Sequence, residues 1–333
     1  MQQRINLSIQ TAAQLGFYPE VDSTYVDLTN IDQTAEVISQ FKPDIIFNAA
    51  TVQPWMRIAE LSKPTFEKLY RAQAGPWLPM TLSLAYNLMQ AVKQTGLDIK
   101  VINGSYPDSV NCILGKVGLA PTIGIGNLAN NIPAIKASVA LKQDIPIEKV
   151  EVLFFAHHYV SHYISRYGNS EGVPFHLAAS IDGKDISQEL DLNTIFDLLP
   201  TKLKRATGPL QLLTAASAMT IFDAIVHDIG TITHAPGPIS LPGGYPVRVY
   251  QKGVEIVTPN GFSIEQAILV NEGGQRLDGI DHVDQNGTVY FTKENMSILE
   301  DVLGYNCQKM LLSDVSNWAN ELQAKYTELV KRA

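Results

Sequence analysis

The run PDIIFNAAT, residues 43–51, most constrains what this chain can fold into. From Asp44 to Ala49 it is nearly continuous in apolar residues, too short for a helix of its own and without the alternation of a strand wetted on one face. A strand of that kind is covered on both faces, as in a parallel sheet flanked by helices. Asp32 to Phe41 reads as a helix before it. A longer helix spans about Trp77 to Gln94, and Ile99 to Asn103 (IKVIN) is the next strand. Upstream, the β-branched STYVDL, Ser23 to Leu28, reads as a further strand. Strands joined by helical crossovers predict a doubly wound α/β sheet, whose ligands lie beyond the carboxyl ends of the strands.

The character changes after residue 117. The Gly-rich LAPTIGIGN leads into a helix from Asn130 to Gln143, followed by strands at Val150–Phe155 and Phe175–Ile181. A helix of about Ala206 to Asp228 carries the small residues AASA. Pro236 to Gly244 holds three Pro and three Gly and reads as a loop, Val247 to Val257 resumes a strand pattern, and Glu294 to about Arg332 reads as one amphipathic helix. At 333 residues the chain exceeds what one core usually supports, so two lobes are expected, 1–117 and 118–333.

The net charge of −8 and the absence of a Lys/Arg run argue against nucleic acid as a partner. Cys112 and Cys307 are too few for a disulfide framework, which favours a reducing compartment. No stretch of eighteen apolar residues marks a membrane span, and Leu210 to Ile225 is interrupted by Gln211, Thr214, Ser217 and Asp223. MQQRINLSIQ lacks the apolar segment of a secretory signal. The expectation is a cytoplasmic protein with no membrane partner.

Dinucleotide-binding sheets open with a strand running into G-x-G-x-x-G, where glycine lets the backbone approach a pyrophosphate at a helix N-terminus. No such loop precedes Ser23. The opening MQQRINLSIQTAAQLGF resembles a helix that would follow the second strand of such a domain, so the first strand, the loop and the ribose-binding acidic residue are expected to be missing together. GIGN, Gly124 to Asn127, precedes a helix but lies too late in the chain for that fingerprint.

From Asp44 onward the order of signals resembles the lactate/malate dehydrogenase superfamily. DIIFNAATVQPWMR is similar to a strand ending in small residues, Ala49 and Ala50, followed by a mobile loop bearing an arginine, Arg57. VINGSYPDSVN is similar to the strand that ends in Asn-Pro. Here Pro107 is kept and Tyr106 stands in place of the asparagine, with Asn103 as a substitute. The family's helical aspartate and arginine fall at Asn131 and Ala134, and His157 or His158 arrives at the spacing of its catalytic histidine. The late ISLPGGYPVRVYQKGVEIV followed by SIEQAI resembles the family's last strand pair and helix start, whereas RLDGIDHVDQNGTVYF is an unassigned hairpin-like insert.

The resemblance implies a partial Rossmann-like domain at 1–117, N-terminally truncated, and an α+β substrate/catalytic lobe at 118–333. It implies an oxidoreductase using NAD or NADP, assembled as a homodimer or homotetramer. In that reading His157 or His158 is the acid/base, Asn131 orients it, Arg57 clamps an anionic group, and Ala49, Ala50, Asn103 and Tyr106 line the nicotinamide side. Histidine titrates near neutrality and so can give and regain a proton beside a carbonyl. Loss of the second arginine at Ala134 removes the main carboxylate anchor of a simple 2-oxo acid, so the small-molecule substrate is expected to be neither lactate nor malate.

Bland readings stand beside these. One histidine packs in the core while the other caps a strand end, Arg57 is a solvated loop residue, and Pro107 alone shapes the Tyr106–Asp108 turn. His158 and His162, at i and i+4, would share a helix face and suit a metal ion, yet no third ligand is evident and no metal is expected. Cys112 reads as a small buried thiol. Lys136, Arg166 and Arg248 are further cationic candidates. The alternatives to the dehydrogenase reading are a non-catalytic binding or scaffold protein, and an NAD- and metal-dependent hydrolase or lyase of the same fold.

Overall fold

A four-residue apolar strand holds its place only if neighbours take its backbone hydrogen bonds, and this one finds a neighbour on one side. In the computed structural model, which describes residues 2–203 and 211–332, α1 (Gln2–Gln14) and α2 (Ile31–Phe41) precede β1 (Ile45–Asn48). Next, α3 (Lys63–Arg71) and α4 (Pro79–Thr95) lead to β2 (Lys100–Asn103), and α5 (Pro107–Gly115) leads to β3 (Ile123–Gly124). The three strands pair in parallel in the order β1-β2-β3, with Asn48 opposite Asn103 and Asn103 opposite Gly124. Local chemistry sets the helix ends. The Asn30 side chain accepts the Gln33 N–H at the start of α2, Pro79 opens α4, and Gly96 closes α4 in a left-handed conformation.

The rest of the chain is α+β. It runs through α6 (Ile132–Gln143), β4 (Val150–Phe155), α7 (His158–Tyr167), β5 (His176–Ile181), β6 (Lys184–Asp185), α8 (Leu192–Thr201) and α9 (Gln211–His227). There follow β7 (Thr231–Pro236), β8 (Gly244–Tyr250), β9 (Gly253–Ile256), α10 (Ile264–Leu277), β10 (Ile280–Val283), β11 (Val289–Phe291), α11 (Lys293–Leu303), β12 (Lys309–Met310) and α12 (Val315–Arg332). The antiparallel sheets are β4-β5-β6, β7-β8-β9 and β10-β11-β12. No described helix is long and apolar enough to cross a membrane.

Three apolar clusters hold these layers. One joins α2, α4 and α5 to β10–β12, α11 and α12, so that Trp77, Leu82 and Ile113 pack with Leu299, Met310 and Leu322. Residues from both sides of position 117 therefore share a core. A second cluster lies between β4, β5 and α6–α8. The third joins the parallel sheet to β7, β8 and α9 through Ile102, Ile123, Ile221 and Val247.

Several expected elements differ. STYVDL is irregular, with Tyr25 81% exposed, because no strand among the described residues lies beside it and β-branched residues gain nothing from an unpaired extended chain. The single strand expected over Val247–Val257 is a hairpin folded at Gln251–Lys252, with Tyr250 opposite Gly253. The helix expected from Glu294 to Arg332 is two, because Gly304 turns left-handed (φ 66°) and ends α11. Thr231–Pro236, unassigned from sequence, is β7, and Pro236 and Gly244 of the expected loop are strand residues paired with each other. The expected start of the helix at Ala206–Leu210 lies outside the described residues; from Gln211 it is helical as α9.

Candidate active site

The two histidines follow β4 and separate at once into different roles. His157 precedes α7 as its N-cap, and its Nδ1 accepts the Tyr159 N–H at 3.3 Å. Nδ1 is therefore unprotonated, and Nε2, which carries the proton, is buried without a described partner. The ring is wholly buried, and burial holds it below the usual histidine range despite the charges of Asp108 and Asp278. It is a neutral capping residue.

His158 is the first residue of α7, and its Nδ1 donates to Asp278 Oδ2 at 2.9 Å. Burial opposes its protonation, but the Asp278 charge and hydrogen bond, with Asp108 adding to them, lift it above the usual histidine value. Asp278 responds reciprocally. Burial would raise its pKa, but the coupling to His158 above all, with the Tyr106 hydroxyl adding to it, holds it far below the ordinary carboxylate range. The site thus contains a buried histidine–carboxylate pair in which the carboxylate favours protonation of the ring.

Asp278 reaches the ring from the end of α10. Gly274, one turn earlier, packs against the His157 Cβ, where any added Cβ would clash, so α10 crosses α7 closely and delivers its last residues to the histidines. The carboxylate is otherwise fully engaged: Oδ1 accepts the Ala74 N–H at 3.1 Å and Oδ2 also accepts the Tyr106 hydroxyl at 2.7 Å. Burial, with Asp278 beside it, keeps the Tyr106 phenol protonated. Tyr106 itself stands at φ 47°, ψ 53°, a left-handed backbone that a tyrosine adopts at a cost of about 1–3 kcal/mol. That strain aims the phenol at Asp278, with the Tyr106 and His158 ring centroids 5.3 Å apart. Asp108 fixes the other flank, accepting the His158 backbone N–H at 2.9 Å through Oδ1 and the Asn127 amide through Oδ2.

The remaining expected residues divide. Asn131 lies beside α7, where Nδ2 donates to the Ser161 carbonyl at 2.8 Å and Oδ1 accepts the Ser165 hydroxyl at 2.7 Å. The group hydrogen-bonded to the His158 ring is Asp278, a residue the sequence reading left inside an unassigned insert. Arg57 is half-exposed and pairs with Glu60 at 3.1 Å. From the same loop it is Trp55 that covers the site, its ring centroid 6.0 Å from His158 and 6.3 Å from His162. Asn103 is wholly buried: Oδ1 accepts from Asn48 Nδ2 and the Ser105 N–H, and Nδ2 donates to Asn111 Oδ1 and the Ser105 carbonyl. All four of its hydrogen-bonding positions are spent inside the protein. Ala49 is exposed and Ala50 half-buried at the β1 end, and the Ala50 carbonyl accepts the Ser105 hydroxyl at 2.6 Å. His158 and His162 have ring centroids 4.5 Å apart, and no group of three metal-ligating side chains is formed among the described residues.

GIGN serves packing. A Cβ on Gly124 would overlap Pro107 and the Pro236 carbonyl, and the Gly126 N–H, which a phosphate would need, donates to Ser217 Oγ at 3.2 Å under α9. The described residues therefore do not form a pyrophosphate cradle at this turn.

A parallel sheet with helical crossovers and a lobe of antiparallel hairpins make this an α/β fold. No family model and no curated protein matches the chain. Among solved structures it is similar to the malate dehydrogenase from Aeropyrum pernix, with 13% identity over 83% of this chain and 85% of that one and a TM-score of 0.54. The lactate dehydrogenase of Cryptosporidium parvum, solved with lactic acid and nicotinamide adenine dinucleotide, gives 15% identity, 82% and 83% coverage and a TM-score of 0.52. The malate dehydrogenase of Plasmodium falciparum gives 15%, 82% and 85%, and 0.51. The chain has the lactate/malate dehydrogenase fold.

Proposed function

We propose that the chain is an oxidoreductase in which His158 exchanges a proton with a small hydroxy or oxo compound. The observation that carries this reading is the buried His158–Asp278 pair beyond the carboxyl end of β2. Asp278 fixes the proton on Nδ1, which leaves Nε2, free of any described hydrogen bond, as the nitrogen that exchanges. With its proton affinity raised by Asp278, His158 acts in its protonated form as donor to a carbonyl oxygen, and once deprotonated it regains the proton from a hydroxyl. Tyr106 and Asp108 hold the pair in place, and Trp55 shields it from water, which strengthens the electrostatics within. Hydride chemistry in this fold belongs to a nicotinamide dinucleotide, NAD or NADP. Because Asn103 and the GIGN turn are committed elsewhere, the residues described supply no polar cradle for it there. By the same reading the chain self-associates as a dimer or tetramer. The exposed stripe Leu212, Met219 and Val226 along α9 supports this, and light scattering tests it.

A binding or scaffold role is the second reading, favoured by that saturation of Asn103. Energy transfer from tryptophan to NADH and NADPH, followed by turnover on a panel of 2-oxo acids and hydroxyketones, separates the two. The oxidoreductase reading expects binding of one cofactor and a rate lowered by about 10²–10⁴ in His158→Asn. Absence of transfer from both cofactors leaves the binding role.

A further inference from the structure

Away from His158, a cavity of about 690 Å³ opens between the outer face of β4 and β5, the strand β7, and helices α6 and α9. His234 and Lys136 stand in its wall. The imidazole of His234 is 5% exposed, and its Nε2 accepts the Phe154 N–H at 3.1 Å. The ring proton therefore sits on Nδ1, which makes no described hydrogen bond, and the residue lines the cavity. Lys136 lines the same cavity and forms no ion pair with a carboxylate among the described residues. Leu153, Ile232 and Val257 supply an apolar wall.

Two donors without a described acceptor beside apolar surface form half of a recognition site. We propose that this cavity binds a small organic monocarboxylate, its carboxylate held by Lys136 Nζ and His234 Nδ1–H and its apolar body lying on Leu153, Ile232 and Val257. The neutral imidazole donates a directed hydrogen bond, and the ammonium supplies the charge. Glu151 and Asp185 also line the cavity, each already accepting from a serine, Ser180 and Ser187. Their charge disfavours a second negative group on the ligand, which selects monoanions over dicarboxylates and phosphate esters. This site is independent of the proposed proton transfer at His158.

Benzoate is the probe, with benzamide as its neutral and phthalate as its dianionic analogue, titrated into the full chain by calorimetry and by methyl NMR. The expected result is saturable benzoate binding that shifts the Ile232 and Val257 methyls, and binding of both analogues weaker by about tenfold or more. Lys136→Met, at a half-buried position, should weaken benzoate by about the same factor without loss of fold, and His234→Gln should weaken it further. His158→Asn should leave it unchanged. Benzamide binding as well as benzoate, methyl shifts confined to other residues, or no saturation at millimolar concentration would each overturn the proposal.

Discussion

At the scale of single residues, neighbouring histidines differ because their ring nitrogens meet different partners. Burial, with a backbone N–H pointed at Nδ1, favours the neutral ring of His157, and a carboxylate at Nδ1 favours the protonated ring of His158. The signs of linkage follow. The folded pKa of His158 is raised, so its stabilising contribution is complete below about pH 6.5 and is lost as pH rises through the folded value. That of Asp278 is lowered, so its contribution is complete above about pH 4 and is lost as pH falls through the folded value. Asp278→Asn should therefore move the His158 midpoint, read by histidine NMR, below its wild-type value, and cost about 3–5 kcal/mol of stability at neutral pH. An unchanged midpoint would remove Asp278 from the site. His234 works in the opposite sense. Burial lowers its pKa to about 3, so acidification from about pH 6.5 protonates the unfolded chain first and drains stability by up to about 1.4 kcal/mol per pH unit. Urea midpoints between pH 7 and 4 should show that slope, reduced in His234→Gln, with His157 and His176 adding to it in the same direction and His158 opposing it above about pH 6.5.

At the scale of elements, the decisive one is α10. Its capping box at Ser263 and Gln266 is legible in sequence and sets where the helix begins. The work of its far end depends on Gly273 and Gly274, which let it lie against Pro174 and His157 and carry Asp278 to a ring 120 residues away in the chain. A carboxylate at a helix carboxyl end opposes the helix dipole, and the His158 ring, when protonated, offsets that. Gly274→Ala should force α10 outward, at a cost of about 1–3 kcal/mol. It should also lower the His158 midpoint. Loss of stability with an unshifted midpoint would show that the two helices can separate without disturbing the pair. Periodicity located α4, α6 and β4 to within a few residues, since each buries a face in its own local pattern. It misread Val247–Val257 because a two-residue turn at Gln251–Lys252 interrupts neither the β-branched run nor its alternation.

At the scale of the molecule, a relay of buried amides ties the sheet to the second lobe. Asn48 bonds to Asn103, Asn103 to Asn111, and Asn111 to the Gly237 carbonyl at 3.0 Å after β7. Asn103→Ala would strand several of these groups without partners, and equilibrium unfolding should show a loss of about 3 kcal/mol or more. A loss of less than about 1 kcal/mol would mean that water replaces the relay. The core that joins α4 to α12 works at the same scale, linking the first third of the chain to its last helix.

By itself the sequence determined that the chain builds a parallel α/β layer followed by an α+β lobe, and that a histidine would follow β4, because strand burial and helix periodicity are local properties of neighbouring residues. It placed His157, His158, Asn103 and Tyr106 near one sheet edge. Only the tertiary structure decided which histidine holds its proton more tightly, that Asp278 partners it, that Trp55 covers it while Arg57 turns to Glu60, and that Asn103 spends its amide on its neighbours. Each of those outcomes depends on which atoms from distant segments come within hydrogen-bonding reach, and sequence spacing carries no information about that.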